Sequence, residues 1–225
     1  MTWPNYWRTA AEFGAHVLPA PKLDLAALIR SAPRGDGHVV LVLPALGQND
    51  QYSHEIRTFL TALGYRAFGW ELGTNIGPTQ HLMDGAAERL RTLSEAYGPV
   101  NLIGFSLGGL FARLLAGRFP SRTRQAITVG SPVQDPARNF WIPLDNMLDF
   151  WPGPDLRALT EEVRAPLPIP CTSFYTRDDG IVNWKSCIDP AAKNIPFDGS
   201  HTTMQVNPQV LSYIARVLGG ETIAV

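Results

Sequence analysis

Ser106 stands in the stretch NLIGFSLGGLFARLL (101–115), fenced by Gly104, Gly108 and Gly109 and followed by apolar residues at helical spacing. Glycines at a strand-to-helix turn can cradle a phosphate. The dinucleotide loop, however, needs G-x-G-x-x-G and the P-loop needs G-x-x-x-x-G-K-[ST]. The pattern here is G-x-S-x-G with no lysine after it. A serine at such a turn is forced into strained backbone geometry, while its small neighbours let strand and helix approach without colliding. The hydroxyl is presented outward, beside helix N–H groups and a partial positive charge that favour an anionic oxygen. The chemistry this suits is nucleophilic attack, provided the chain also supplies a base and an acid that orients the base.

For this serine turn the expected chain order is Ser, then Asp or Glu, then His. His16, His38, His54 and His81 all precede Ser106, and only His201 follows it. His201 lies in FDGSHTTM, read as a short strand-like run and a Gly-Ser turn just before the final helix. The acid has three candidates. Asp179, in SFYTRDDGIV, leaves an apolar strand and borders the Gly180 turn, which makes it the preferred one. Asp178 is its neighbour and cannot face the same imidazole at the same time. Asp135 follows the preceding strand in TVGSPVQD. An oxyanion hole needs two N–H donors aimed at the developing charge. Leu107, after the nucleophile, offers one, and Leu46, in the PALGQND loop, the other, with Ala45 as the alternative.

These residues need a scaffold. Val39 to Leu43 are consecutive apolar residues, mostly β-branched, and read as a buried strand ending at Pro44. Residues 52–63 carry Ile56, Phe59, Leu60 and Leu63 at helical spacing and stop at Gly64. A short strand YRAFGW follows, then the turn-rich loop ELGTNIGPT, then a helix over 80–97 with the stripe Leu82, Met83, Ala86, Leu90 and Leu93. Beyond the serine, QAITVG and IPCTSFYT read as strands and NPQVLSYIARVLGG as a closing amphipathic helix. Strand alternating with helix predicts an α/β fold: a doubly wound, mostly parallel sheet with helices on both faces.

Residues 132–168 interrupt the alternation and carry Phe140, Trp141, Leu144, Met147, Leu148, Phe150 and Trp151. Insertions of this length are commonly lids or binding loops, and ligand pockets are lined by apolar and aromatic side chains. The expectation is a short lid in which Phe140, Trp141, Leu144, Met147 and Trp151 meet substrate, set within a single domain spanning 1–225.

Composition narrows the function classes. At 225 residues, with 45% hydrophobic and 17% charged, the chain can bury a substantial core. Its 19 basic and 20 acidic residues give a net charge of −1 and no basic footprint for nucleic acid. The expected partner is a small, weakly charged molecule. No apolar run is long enough for stable membrane insertion, and MTWPNYWRTAAEFG lacks the basic start and apolar core of a secretion signal, so a cytoplasmic location is expected. Cys171 and Cys187 are too far apart for a C-x-x-C site and are read as reduced, and neither a metal nor a cofactor is expected. Trp3, Tyr6, Trp7, Ala10 and Phe13 can form an apolar helical stripe. Docking onto the domain is the favoured reading of it. Interfacial contact with lipid or self-association is the weaker one, since Arg8 alone gives the polar face little positive charge.

The chain resembles the α/β-hydrolase superfamily, in particular its small bacterial lipase and esterase-like members. The resemblance covers roughly residues 38–218. It rests on GFSLGG (104–109), LPALG (43–47), WELGTNIGP (70–78), RDDGIV (177–182) and DGSH (198–201). It implies Ser106, Asp179 and His201 as nucleophile, acid and base, with Leu46 and Leu107 forming the oxyanion hole. The implied activity is carboxylic ester hydrolysis. Acyl transfer or thioester cleavage on the same triad, or a catalytically silent fold that only binds, are the alternatives. Such members usually have glycine where this chain has Ala45, and a methyl there narrows the approach to the substrate oxygen. Dehalogenases of this fold need an aspartate nucleophile, which Ser106 argues against.

Overall fold

A computed structural model describes residues 23–134 and 156–223. Six strands form one sheet: β1 (Val39–Leu43), β2 (Arg66–Gly69), β3 (Val100–Phe105), β4 (Thr123–Val129), β5 (Cys171–Tyr175) and β6 (Lys193–Pro196). The sheet order is β2-β1-β3-β4-β5-β6, and every pairing is parallel. Parallel neighbours need crossovers, which here pass through α2 (His54–Leu63), α3 (Gln80–Tyr97), α4 (Leu107–Arg118) and α5 (Leu156–Arg164), and between β5 and β6 through a 3₁₀ turn at Trp184–Cys187. Two further helices, α1 (Leu25–Ser31) and α6 (Pro208–Leu218), flank the sheet at either end of the described chain.

Alternation along the strands divides the core in two. Val39, Leu41 and Leu43 of β1 face a buried cluster with Leu82, Ala86 and Leu90 of α3, Phe111 and Leu115 of α4, and Leu159 and Val163 of α5. Val40 and Val42 face the opposite cluster, with Ile56, Phe59 and Leu60 of α2 and Val210, Leu211 and Ile214 of α6. Burial on both faces explains why β1 reads as an unbroken apolar run.

Local chemistry sets the helix ends. Gly64 caps α2 at φ 108°, with its N–H bonding back to Leu60 and Thr61. Thr79 Oγ1 accepts from Leu82 N at the start of α3. Asn207 Oδ1 accepts from Gln209 N and Val210 N at the start of α6, where Pro208 takes a first-turn position that needs no donor.

The chain runs from β1 outward to β2, then returns to place β3 on the other side of β1. Ligands of open α/β sheets bind beyond the strand carboxyl ends at such a reversal. The loop after β1 and the turn after β3 therefore meet at one rim.

Several details differ from the sequence reading. The strand before His201 is Lys193–Pro196, earlier than the FDGSHTTM run, which instead forms turns and a 3₁₀ segment at Met204–Val206. Lys, Asn and Pro are poor strand formers, so the pattern of KNIP conceals an edge strand. Part of the 132–168 insertion is helix α5, whose Leu159 and Val163 are buried against α4. Asp135, Phe140, Trp141, Leu144, Met147 and Trp151 lie outside the described residues, as does the amino-terminal stripe from Trp3 to Phe13. Among the described residues, no helix is long and apolar enough to cross a membrane.

Candidate active site

Ser106 sits between the end of β3 and the start of α4 with φ 50° and ψ −119°. Glycine apart, only Glu71 and Ser106 have positive φ among the described residues. A non-glycine residue held this way costs of order 1–3 kcal/mol and persists only where its surroundings over-determine it. They do so here. Ser106 N–H bonds to Val129 O at 2.8 Å, which anchors the turn to β4. A Cβ on Gly104 would run into the Gly108 carbonyl, and one on Gly108 into the Leu43 carbonyl, so β3, α4 and β1 meet at a distance only glycine permits.

His201 reaches this turn from the loop after β6. Its Nε2 lies 3.0 Å from Ser106 Oγ, and its Nδ1 lies 2.7 Å from Asp179 Oδ2. A neutral ring with its proton on Nδ1, donated to the carboxylate, leaves Nε2 to accept the serine proton. Asp179 is oriented from its other oxygen, where Oδ1 accepts from Ile181 N at 2.9 Å and Val182 N at 2.6 Å. Asp178 is exposed, and its N–H bonds to Thr176 Oγ1. The hydroxyl of Thr176 in turn donates to Gly199 O at 2.7 Å, joining the acid loop to the histidine loop. Ser106, Asp179 and His201 are all buried. Gly130 closes the far side: a Cβ there would lie 2.8 Å from Met204 Sδ and 3.3 Å from His201 Nδ1.

The loop after β1 carries the other predicted donor. Gly47 N–H bonds to Asn75 O at 2.7 Å and Gln48 N–H to Ala45 O at 3.1 Å, while the Ala45 and Leu46 amides meet no acceptor among the described residues. A trans peptide points its C=O and N–H in opposite directions. Pro44 O faces the nucleophile helix, since a Cβ on Gly108 would lie 2.7 Å from it, so Ala45 N–H on the same peptide points away. The Leu46 N–H lies on the next peptide, opposite Ala45 O, which accepts from Gln48 N–H. Leu107, as the first residue of α4, has an N–H with no intrahelical acceptor. The methyl of Ala45 is buried in the cluster on the α2–α6 face.

Three residues that the sequence reading did not single out complete the surroundings. Asn75 is wholly buried, Gln205 Nε2 donates to Gln48 Oε1, and Thr176 bridges the two later loops. N-x-G in TNIGP reads as an ordinary turn signal, and nothing local marks the distant partners of Gln48 or Gln205. The thiols stand apart from this chemistry. Burial pushes Cys171 up to about 11, and burial with the nearby Asp179 charge pushes Cys187 well above the usual range. Among the described residues, no group of three His, Cys, Asp or Glu is placed to hold a metal.

A family profile described as alpha/beta hydrolase fold matches residues 84–161, which include the serine turn. A metagenome-derived lipolytic enzyme of the LipS/LipT pair superposes with a TM-score of 0.66 at 13% identity, over 84% of this chain and 96% of that one. The mature Bacillus licheniformis lipase BlEst2 gives 0.61 at 14% identity, over 84% and 94%. A thioesterase domain from the curacin biosynthetic pathway gives 0.55 at 13% identity, over 83% and 92%. No curated protein matches the sequence. The chain has the α/β-hydrolase fold, with lipases and esterases among its structural neighbours.

Proposed function

We propose that the chain is a serine hydrolase that cleaves carboxylic esters of apolar acyl or aromatic groups through an acyl-enzyme intermediate. The observation that carries this reading is the continuous hydrogen-bond chain from Ser106 Oγ to His201 Nε2 at 3.0 Å and from His201 Nδ1 to Asp179 Oδ2 at 2.7 Å. Ser106 Oγ attacks the ester carbonyl while His201 Nε2 takes its proton, and Asp179 stabilises the resulting imidazolium. Leu46 and Leu107 N–H groups receive the oxyanion. Collapse of the tetrahedral species transfers the proton from His201 to the departing alcohol. Water, deprotonated by His201, then attacks the acyl-enzyme, and the proton returns to Ser106 as the acid leaves. In this reading Phe140, Trp141, Leu144, Met147 and Trp151 of the 132–168 insertion cover the acyl group. The burial of Ala45 in the core supports a hole that its methyl does not obstruct.

The test is a series of p-nitrophenyl esters of increasing acyl length, run on wild type and Ser106→Ala, together with fluorophosphonate labelling. Turnover and labelling in wild type, both lost in Ser106→Ala, are expected. Equal hydrolysis by the two proteins, or a folded wild type that resists labelling, would sink the reading.

A second reading, thioester cleavage or acyl transfer on the same residues, draws support from the thioesterase domain among the structural neighbours. Acyl-thioester substrates and added alcohol acceptors separate the two, because a transferase yields transesterified product where a hydrolase yields free acid.

A further inference from the structure

We propose that Asn75 is the positioning residue that aims the second oxyanion donor, the Leu46 amide. This inference rests on the hydrolase reading above. Asn75 lies in the loop between β2 and α3 and is wholly buried, and each of its polar groups is committed. Its N–H donates to Gln48 O at 2.8 Å, and its carbonyl accepts from Gly47 N at 2.7 Å. Its side-chain Nδ2 donates to Pro44 O at 2.7 Å, and Oδ1 accepts from Gly77 N at 3.1 Å. Three of these four bonds end on the loop Pro44–Gln48.

The consequence follows from peptide planarity. Pinning Pro44 O from Asn75 Nδ2 fixes the plane of the Pro44–Ala45 peptide, and with it the direction in which the next peptide starts. Pinning Gly47 and Gln48 fixes the other end. Between them, Ala45 O closes onto Gln48 N–H, and the Leu46 amide, opposite that carbonyl on the same trans peptide, meets no acceptor among the described residues. A backbone donor is useful only when held rigidly at the position the oxyanion will occupy, since a misplacement of about 1 Å can cost on the order of 10²-fold in rate. The same loop is tied to the base's loop through Gln205 Nε2 and Gln48 Oε1. Asn75 thus orders the Pro44–Gln48 loop from a side chain and backbone that belong to another loop.

Removing the side chain in Asn75→Ala leaves the Pro44 carbonyl without its donor and lets the Leu46 amide swing. Asn75→Asp keeps the shape and the acceptor for Gly77 N–H. Its neutral carboxyl can still donate to Pro44 O, whereas its carboxylate cannot.

The experiment measures kcat and KM for an aryl ester, affinity for a trifluoromethyl ketone that forms a tetrahedral adduct, and thermal unfolding, in wild type and both variants. For Asn75→Ala the expected result is a kcat lower by about 10- to 100-fold with KM changed by less than ~3-fold, and a parallel loss of ketone affinity. For Asn75→Asp, kcat relative to wild type should fall as pH rises and the introduced carboxyl ionises. Folded variants with wild-type kcat, or a lowered kcat with ketone affinity intact, would overturn the proposal. Failure of both variants to fold would make Asn75 a purely structural residue and overturn it as well. A wild type that neither turns over ester nor takes the fluorophosphonate defeats the hydrolase reading itself, whereas an active wild type with unaffected variants defeats this inference alone.

Discussion

At the scale of single residues, the proposed chemistry depends on one proton being held on one nitrogen. Asp179 does this with Oδ2 while Ile181 and Val182 hold Oδ1. Asn at this position would keep an oxygen for the two amides but turn its NH₂ toward His201 Nδ1, which forces the ring proton onto Nε2 and removes the acceptor that Ser106 needs. Asp179→Asn should lower kcat by about 10⁴-fold with little change in the unfolding midpoint. A steady-state ester assay beside a thermal melt checks it, and a variant retaining more than a tenth of the wild-type kcat would refute the assignment. Ser106 and His201 were legible in the sequence because the serine turn is a local pattern and His201 alone follows it. Asp179 was legible only as the preferred member of a set, since adjacent aspartates look alike until the Gly180 turn aims one of them inward.

At the scale of elements, what could be read was what repeats. The β1 run, the stripe of α3 and the stop of α2 at Gly64 carry their own periodicity and punctuation. What could not be read was what depends on distant partners: the edge strand β6, the short α1, and the packing of α5 within an insertion read in preference as a lid. Arg113 shows how that last element is fixed. On the nucleophile helix, and almost fully buried, it donates to Val163 O at 2.6 Å and Ala165 O at 2.9 Å, and pairs with the equally buried Asp189. Arg113→Met would leave an unpaired carboxylate and two carbonyls without donors, a loss expected to be about 3–5 kcal/mol by urea unfolding. Asp189→Asn in the same chain should restore part of it by removing the charge, though not the two carbonyl bonds. A single variant as stable as wild type would show that this anchor is dispensable.

At the scale of the whole molecule, the sheet brings residues from three distant stretches to one rim, and a partly buried thiol on β5 contributes to how the protein responds to alkali. Burial raises Cys171 from 9.0 to about 11, so the folded chain keeps that proton where the unfolded chain gives it up. Proton binding is then greater in the folded state between pH about 9 and about 11, and stability falls as pH rises through that window, by of order 2 kcal/mol. Urea midpoints at pH 8.5 and 10.5 should differ more in wild type than in Cys171→Ala, and equal differences would refute the contribution. The outer margin of the sheet has a consequence of another kind. Phe197 N–H turns inward to Tyr175 O, so along β6 the amides facing outward belong to Asn194 and Pro196, and proline has none. A strand from a neighbouring copy laid along that margin would find a single donor to grip, and so β6 is a poor template for growth of the parallel sheet from that side.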